Sequence, residues 1–145
     1  MCIRDSVKAE CYVGIGKSGG EPVLTQPLSS NVSQKRVLVV DEVADSGKSL
    51  TLVISHVMAQ GAKEAKTATL YCKPHNIFKP DYCEQETSRW VVFPWEIKET
   101  VRAVCASGGT DGARVEAELA KLAAAGVPKR LITRFLLEFS EAKTC

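Results

Sequence analysis

Short apolar runs alternate with polar and glycine-rich segments over roughly the first hundred residues of this 145-residue chain. The runs at 7–13, 36–40, 66–73 and 90–93 predict strands, and a further extended segment is expected at 22–28. The run at 36–40 has no alternating polar face. It therefore predicts a central parallel strand that is covered on both sides.

A helix is predicted between the strands at 36–40 and 66–73. Ser46 or Ser49 can cap its start, and Gly61 can end it. Its apolar face at helical spacing consists of Leu50, Val53, Ile54, Val57 and Met58. Strand, helix and strand form a βαβ unit, so we predict an α/β fold with a mainly parallel sheet flanked by helices.

The last forty residues follow a helical pattern instead. A break at 107–109 precedes Asp111, which can cap the first of two amphipathic helices, and Gly126 and Pro128 separate the two. Their apolar positions are Val115, Leu119 and Leu122, then Leu131, Ile132, Phe135, Leu136 and Phe139. We predict a domain over 7–100, followed by a C-terminal helical hairpin over 107–145 that serves in packing.

The composition is that of one globular domain, with 45% hydrophobic residues, 25% charged residues and a formal net charge of +2. So small a charge does not indicate a nucleic-acid or membrane partner, and no apolar run reaches the length of a membrane span. The six cysteines contain no CxxC pair and no metal-ligand spacing. With no export signal visible, we expect reduced thiols in a cytoplasmic protein.

The segment VLVVDEVADSGKSL, residues 37–50, joins a buried strand to a helix through a turn suited to phosphate. In an open parallel sheet, ligands bind beyond the carboxyl ends of the strands, where Asp41 and Glu42 are expected. Adjacent carboxylates repel each other, and their oxygens suit the two hydroxyls of a diol or a Mg²⁺ ion. The following DSGKS, residues 45–49, offers hydroxyls and the N–H groups of a helix N-terminus to an anion.

Two other motifs fit this segment less well. A P-loop needs a glycine five residues before Gly47, where this chain has Glu42. A phosphorelay receiver carries its phospho-acceptor aspartate at the end of a later strand, and no later predicted strand ends in one.

All fourteen residues of the segment resemble the phosphoribosyl pyrophosphate signature of type I phosphoribosyltransferases, which have a Rossmann-like sheet. The resemblance implies that Asp41 and Glu42 hold the ribose hydroxyls, with Mg²⁺ at the same two acids. The residues implied to bind the ribose 5′-phosphate are Ala44, Asp45, Ser46, Gly47, Lys48 and Ser49. In the purine-specific branch, the aspartate at the position of Asp45 lies close to N7 of the base and is the candidate proton acceptor.

Lys73, at a strand end, and RWVVFPWE, residues 89–96, resemble the xanthine-guanine and hypoxanthine phosphoribosyltransferases. By that resemblance Lys73 donates to the 6-oxo group of a purine, Trp90 stacks on the ring and the backbone of Val91 meets the 2-position. A lysine donor favours 6-oxo over 6-amino purines, because an ammonium cannot accept a hydrogen bond from an amino group. Taken alone, a lysine at a strand end is usually solvated, and an aromatic residue usually packs in a core.

Parts of the family pattern are missing from the N-terminal region. Residues 1–6, MCIRDS, resemble a translated sequencing adapter, so we expect a non-native leader. Nothing before Val7 matches the family's pyrophosphate-binding loop, so we expect an N-terminally truncated enzyme that is weak or inactive by itself. The glycine-rich segment at 14–20 matches the position of the family's mobile loop, where Lys17 suits a lid, although a plain hairpin turn fits the composition nearly as well.

These features predict a purine salvage enzyme. It would transfer the 5-phosphoribosyl group from phosphoribosyl pyrophosphate to N9 of xanthine, guanine or hypoxanthine with Mg²⁺, and the resemblance implies a homo-oligomer without nucleic-acid or membrane partners. The alternative is a non-catalytic regulator that senses phosphoribosyl pyrophosphate on the same fold. Such regulators normally add a nucleic-acid-binding element, and the C-terminal helices have no excess of basic residues.

Overall fold

The computed structural model describes residues 3–11, 20–108 and 112–141, in two compact units, Met1–Arg89 and Trp90–Cys145. The elements are β1 (Lys8–Cys11), β2 (Pro22–Gln26), β3 (Arg36–Ala44), α1 (Lys48–Ala59), β4 (Glu64–Cys72), β5 (Tyr82–Glu86), a 3₁₀ turn (Pro94–Glu96), α2 (Ile97–Gly108), α3 (Gly112–Ala124) and α4 (Lys129–Glu141). The start of the predicted leader, the predicted loop at 14–19 with Lys17, and the predicted cap Asp111 lie outside the described residues.

The main sheet of the first unit is parallel, with the strand order β3–β4–β5. Helix α1 connects β3 to β4, and its Val57, 1% exposed, is buried with Val32 and Ala62. Val37 and Val39 of β3 pack against this cluster. The predicted α/β fold with a parallel sheet and a βαβ unit is therefore confirmed. Strands β1 and β2 form a separate antiparallel pair.

The predicted central position of β3 and its predicted covering on both sides are both wrong for the described residues, in which β3 is an edge strand of the order β3–β4–β5. Val37 and Val39 face the α1 cluster, whereas Leu38 and Val40, on the opposite face, are 55% and 72% exposed. Alternate residues of a strand point to opposite faces, and in this unit the described helix α1 packs on one of them. A continuous apolar run was thus a poor guide to burial.

Helix α1 ends as predicted but starts differently. Gly61 has a φ of +81°, and its N–H donates to the Met58 carbonyl at 2.9 Å, as in a left-handed C-terminal cap. At the start, Gly47 occupies the N-cap position in the left-handed region, and it has no side chain with which to form a cap hydrogen bond. The predicted capping by Ser46 or Ser49 is therefore wrong.

The strand predicted at 90–93 is not formed, and Tyr82–Glu86 pairs with β4 instead. Pro94 begins a 3₁₀ turn immediately after Phe93, and Phe93 N–H donates to the Glu96 carboxylate at 3.2 Å. The valines of the 90–93 run thus lead into a helix. Strand β5 has a polar sequence. It can nevertheless pair with β4, because the hydrogen bonds of a parallel pair join backbone groups.

Three α-helices lie in the described residues of the second unit, where two were predicted. Both predicted helices are present as α3 and α4, and α2 was missed. Ile97 and Val101 of α2 are buried together with Ile132 of α4. The predicted domain limits of 7–100 and 107–145 stay a prediction. None of the described helices has the length and apolar character needed to cross a membrane.

One pair of cysteines is oxidised to a disulfide, although reduced thiols were expected. Cys72, at the end of β4, and Cys83, in β5, form a disulfide with their Cα atoms 6.4 Å apart. The prediction that all six cysteines are reduced is therefore wrong for these two, which lie 11 residues apart in sequence without a recognisable spacing motif. Cys105 is a free, half-buried thiol.

Candidate active site

Gly47 shapes the turn between β3 and α1. Its φ of +83° lies in the left-handed region that favours glycine. Its carbonyl accepts hydrogen bonds from the N–H and the hydroxyl of Thr51, at 2.9 and 3.0 Å, which starts the 12-residue helix at Lys48. The N–H groups of the first turn and the positive end of the helix dipole then meet at this point, as an anion site requires.

Side chains of the predicted phosphate-binding residues surround the same turn. Ser46 is exposed, and its hydroxyl accepts a long 3.4 Å bond from the Lys48 N–H. Ser49 is half-buried in the first helical turn. The Lys48 ammonium lies 2.6 Å from the Glu21 carboxylate. An ion pair at the surface contributes little, so a phosphate can compete with Glu21 for this lysine.

Asp41 and Glu42 are the sixth and seventh of the nine residues of β3 rather than lying beyond its end, because β3 continues to Ala44. Both are half-buried, and they line a cavity of about 1310 Å³ that runs along β3. The pKa of Asp41 is raised to about 6, first by burial and then by the hydrogen bond and charge of the Glu42 side chain, while the hydrogen bond from the Glu42 N–H lowers it. A carboxyl with so high a pKa is suited to a bound cation or hydroxyl.

The chemistry of these two acids fits a Mg²⁺ ion that binds together with a phosphorylated substrate. No group of three or more metal-ligating side chains occurs in the described residues. A pair of carboxylates is nevertheless the usual protein share for Mg²⁺, which takes its remaining oxygen ligands from substrate phosphates and water. Next to Asp41, the buried hydroxyl of Thr69 on β4 has no hydrogen-bond partner among the described residues. Its oxygen adds a further polar group beside the acids.

Asp45 is exposed at the start of the turn, and its Oδ1 lies 3.1 Å from Nε2 of His75. His75 belongs to the loop after β4 and was not predicted as a site residue. The predicted proton acceptor therefore already faces a group that can itself donate or accept a proton.

Lys73 is buried, at 9% exposure, immediately after β4. Its ammonium donates a hydrogen bond to the Arg89 carbonyl, and its N–H donates to the Ala44 carbonyl at 3.0 Å. The resemblance implies that the ammonium donates to a purine, and in this structure the backbone uses one of its three donors. Its predicted role toward a base stays a prediction.

Trp90 and Val91 are the first residues of the second unit, and Trp90 is 81% exposed. Their predicted contacts with a base stay predictions. Trp95 stacks on Phe93 with ring centroids 5.1 Å apart, but it is 64% exposed and so does not lie in a core.

Residues 73–78 form a loop that is hydrogen-bonded to the turn at 44–47. Asn76 donates from its side chain to the Ala44 carbonyl at 3.0 Å, and the Ile77 N–H donates to the Ser46 carbonyl at 3.2 Å. The structure thus brings Lys73 and His75 next to residues 44–49. Nothing in the local sequence indicates this contact, because its partners lie about thirty positions apart.

Comparisons with known proteins agree on one family. A family model described as the phosphoribosyl transferase domain matches residues 8–101. The hypoxanthine-guanine phosphoribosyltransferase of Schistosoma mansoni is 38% identical over 92 residues, which cover 59% of this chain and 31% of that protein. The xanthine-guanine phosphoribosyltransferase of Gluconobacter oxydans (strain 621H) is 29% identical over 94 residues, covering 63% of this chain and 53% of that protein. The chain thus spans about a third to a half of these two relatives.

Solved structures give the same result. A purine phosphoribosyltransferase from Pyrococcus horikoshii Ot3 superposes with a TM-score of 0.56 and 41% identity, covering 63% of this chain and 58% of that one. A hypoxanthine-guanine phosphoribosyltransferase from Bacillus anthracis superposes with a TM-score of 0.53 over 60% of this chain and 53% of that one. At 24% identity the second match supports the fold alone.

Proposed function

The chain belongs to the phosphoribosyl transferase domain family, and from this we propose that the protein transfers the 5-phosphoribosyl group of phosphoribosyl pyrophosphate to N9 of a 6-oxopurine. The product would be the 5′-monophosphate of xanthosine, guanosine or inosine. The names of the similar proteins support a purine as the acceptor.

The observation that carries the proposal is the order of groups from β3 into α1. Two half-buried acids, an exposed aspartate and a left-handed glycine at a helix N-terminus follow one another within residues 41–47. These groups match, in sequence, the ribose hydroxyls, the base and the 5′-phosphate of one nucleotide.

In the proposed reaction, N9 of the purine forms a bond to C1 of the ribose while the bond from C1 to the pyrophosphate oxygen breaks. The purine loses its N7 proton, and the Asp45 carboxylate accepts it. His75, 3.1 Å from Asp45, can orient that carboxylate. Asp41 and Glu42 fix the ribose through its hydroxyls, so that C1 is held in reach of N9.

Asp41 and Glu42 would also hold Mg²⁺. Bound there, the ion would neutralise charge on the departing pyrophosphate. A cation held there would also offset the burial and the neighbouring Glu42 charge that raise the pKa of Asp41 to about 6.

Nucleotide binding tests the proposal even if this chain turns over slowly. We expect isothermal titration to detect GMP, XMP and IMP, and to give an affinity for AMP at least about tenfold weaker, a difference of about 1.4 kcal/mol. The reason is that the Lys73 ammonium donates to a 6-oxo group and meets a second donor in a 6-amino group. The Lys73→Met variant should lose this preference.

Lys79→Met is the matched control, because Lys79 is an exposed lysine later in the same connection between β4 and β5. AMP binding as tight as GMP binding, or a preference unchanged in Lys73→Met, would contradict the proposed base specificity. Formation of nucleotide from phosphoribosyl pyrophosphate, Mg²⁺ and each base measures the activity directly. Tight DNA or RNA binding without nucleotide formation would favour the regulator instead.

A further inference from the structure

Asn76 connects two backbone segments of the candidate active site through its side-chain amide. Its Nδ2 donates to the Ala44 carbonyl at 3.0 Å, and its Oδ1 accepts from the Phe78 N–H at 2.7 Å. The donor and acceptor ends of the amide are thus both used, and these opposed partners fix its orientation.

Gly47 provides the space that this amide occupies. A Cβ atom at position 47 would collide with Oδ1 of Asn76 and lie 2.6 Å from Cβ of Phe78. The Asn76 side chain therefore packs directly against the residue whose left-handed backbone shapes the turn.

Backbone hydrogen bonds lie on both sides of this contact. Lys73 N–H donates to the Ala44 carbonyl at 3.0 Å, and Ile77 N–H donates to the Ser46 carbonyl at 3.2 Å. Asn76 lies between these two donors in the sequence and shares the Ala44 acceptor with Lys73. It is at the centre of the contact between the loop and the turn.

We infer that Asn76 is a positioning residue that holds the turn at residues 44–47 in the conformation that binds the 5′-phosphate. The inference rests on the proposed function, which assigns the phosphate to this turn. Asn76 acts through the backbone of residues 44–47 and not by touching the base. Its removal leaves the bonds of Lys73 to Ala44 and Arg89, so recognition of the base should persist.

Amide hydrogen exchange without ligand tests the hold on the turn. In Asn76→Ala, we expect the amides of Thr51 and Ile77, which donate to Gly47 and Ser46, to exchange about tenfold faster. Asn76→Asp should behave similarly, because it keeps the acceptor for Phe78 but places an oxygen against the Ala44 carbonyl. The Gln60 amide at the far end of α1 should be unaffected.

Asn31→Ala is the matched control. Asn31 also accepts a backbone hydrogen bond, from Ser33 N–H at 2.9 Å, but this bond stays within its own loop and does not reach the turn at 44–47. Its loss should leave Thr51 and Ile77 unchanged. Equal exchange rates in Asn76→Ala and the wild-type chain would overturn the inference.

A comparison of GMP with guanosine isolates the phosphate. Asn76→Ala should weaken GMP binding about tenfold, which corresponds to about 1.4 kcal/mol, and should change guanosine binding less than about twofold. Equal weakening of both ligands would overturn the phosphate-specific role. If the wild-type chain binds neither ligand, the proposed function fails, while the exchange rates still decide whether Asn76 holds the turn.

Discussion

The buried Lys73 and the half-buried Asp41 are two charged side chains of the candidate active site with different neighbours. Lys73 donates to the Arg89 carbonyl, which satisfies one of its three N–H groups without offsetting its charge. Asp41 is next to Glu42, and burial followed by this neighbour raises its pKa to about 6. The raised pKa of Asp41 marks a cost in the folded state that a ligand of opposite charge would relieve, as is usual at binding sites.

The pH dependence of stability should reveal the cost at Asp41. Its pKa is higher in the folded state, about 6, than in the unfolded chain, near 3.9. The folded state therefore binds the proton more tightly, and stability rises as the pH falls through 6. In EDTA, lowering the pH from 7 to 5 should add roughly 1 kcal/mol more to the wild type than to Asp41→Asn, after allowance for solvent screening. Urea unfolding measures the free energy of unfolding of the wild type and of Asp41→Asn at each pH. Curves of this free energy against pH that run parallel for the two proteins would contradict the prediction.

The contiguous residues of the candidate site can be predicted from the sequence, whereas the residues that folding brings to the same turn cannot. Residues 41–49 lie together because one strand, one turn and one helix connect them. Asn76 and His75 reach the same turn from a loop about thirty residues later, through an amide and an imidazole with no motif around them. A local pattern cannot indicate such contacts, because they depend on the path of the loop.

At the scale of elements, Asp81 fixes the start of β5 against β4. Its Oδ2 accepts from the N–H and the hydroxyl of Thr67, at 2.8 and 2.9 Å, and the Asp81 N–H donates back to that hydroxyl at 2.9 Å. The Thr67 N–H bond, the largest cause, lowers the pKa of Asp81. Tyr82–Glu86 was not predicted as a strand because its residues are mostly polar. Strand β5 forms through backbone pairing with β4 and through this Asp81 contact, and not through the hydrophobicity of its own side chains.

Two buried threonines on β4 give a matched test of that contact. Thr67→Val removes a hydroxyl that both donates to and accepts from Asp81, so we expect a loss of about 1–3 kcal/mol in the free energy of unfolding. Thr69→Val removes a buried hydroxyl without a partner among the described residues, and should change stability by less than about 0.5 kcal/mol or increase it. Chemical denaturation measures both variants.

At acid pH, the difference in the free energy of unfolding between Thr67→Val and Thr69→Val should become smaller. The stabilisation from Asp81 is present above its unfolded pKa, near 3.9, and is lost as the pH falls through its lower folded value. The Thr67→Val penalty should therefore shrink below about pH 4. Equal losses for Thr67→Val and Thr69→Val at neutral pH would show that Asp81 does not stabilise this connection.

At the scale of the whole molecule, the chain has two units, each with its own buried cluster. Val32, Val57 and Ala62 form the first cluster, and Ile97, Val101 and Ile132 form the second. The sequence predicted the α/β unit because strand and helix periods alternate clearly there. Helix α2 was not predicted because the apolar run at 90–93 resembles a strand, although Ile97, Val101 and Cys105 recur every four residues, as on one face of a helix.

Separate clusters predict separate responses to mutation. Val101 is fully buried in the second cluster, so Val101→Ala should destabilise that unit by about 2 kcal/mol through lost contacts and the resulting cavity. Amide exchange should accelerate in α2 and α4, with protection in β3 and β4 unchanged. Arg102→Ala, at the neighbouring exposed position of α2, should alter neither set of amides. Equal acceleration in β3 and α4 would instead mean that one cooperative transition unfolds the entire chain, and that the buried face of α2 supports the nucleotide site as well as its own unit.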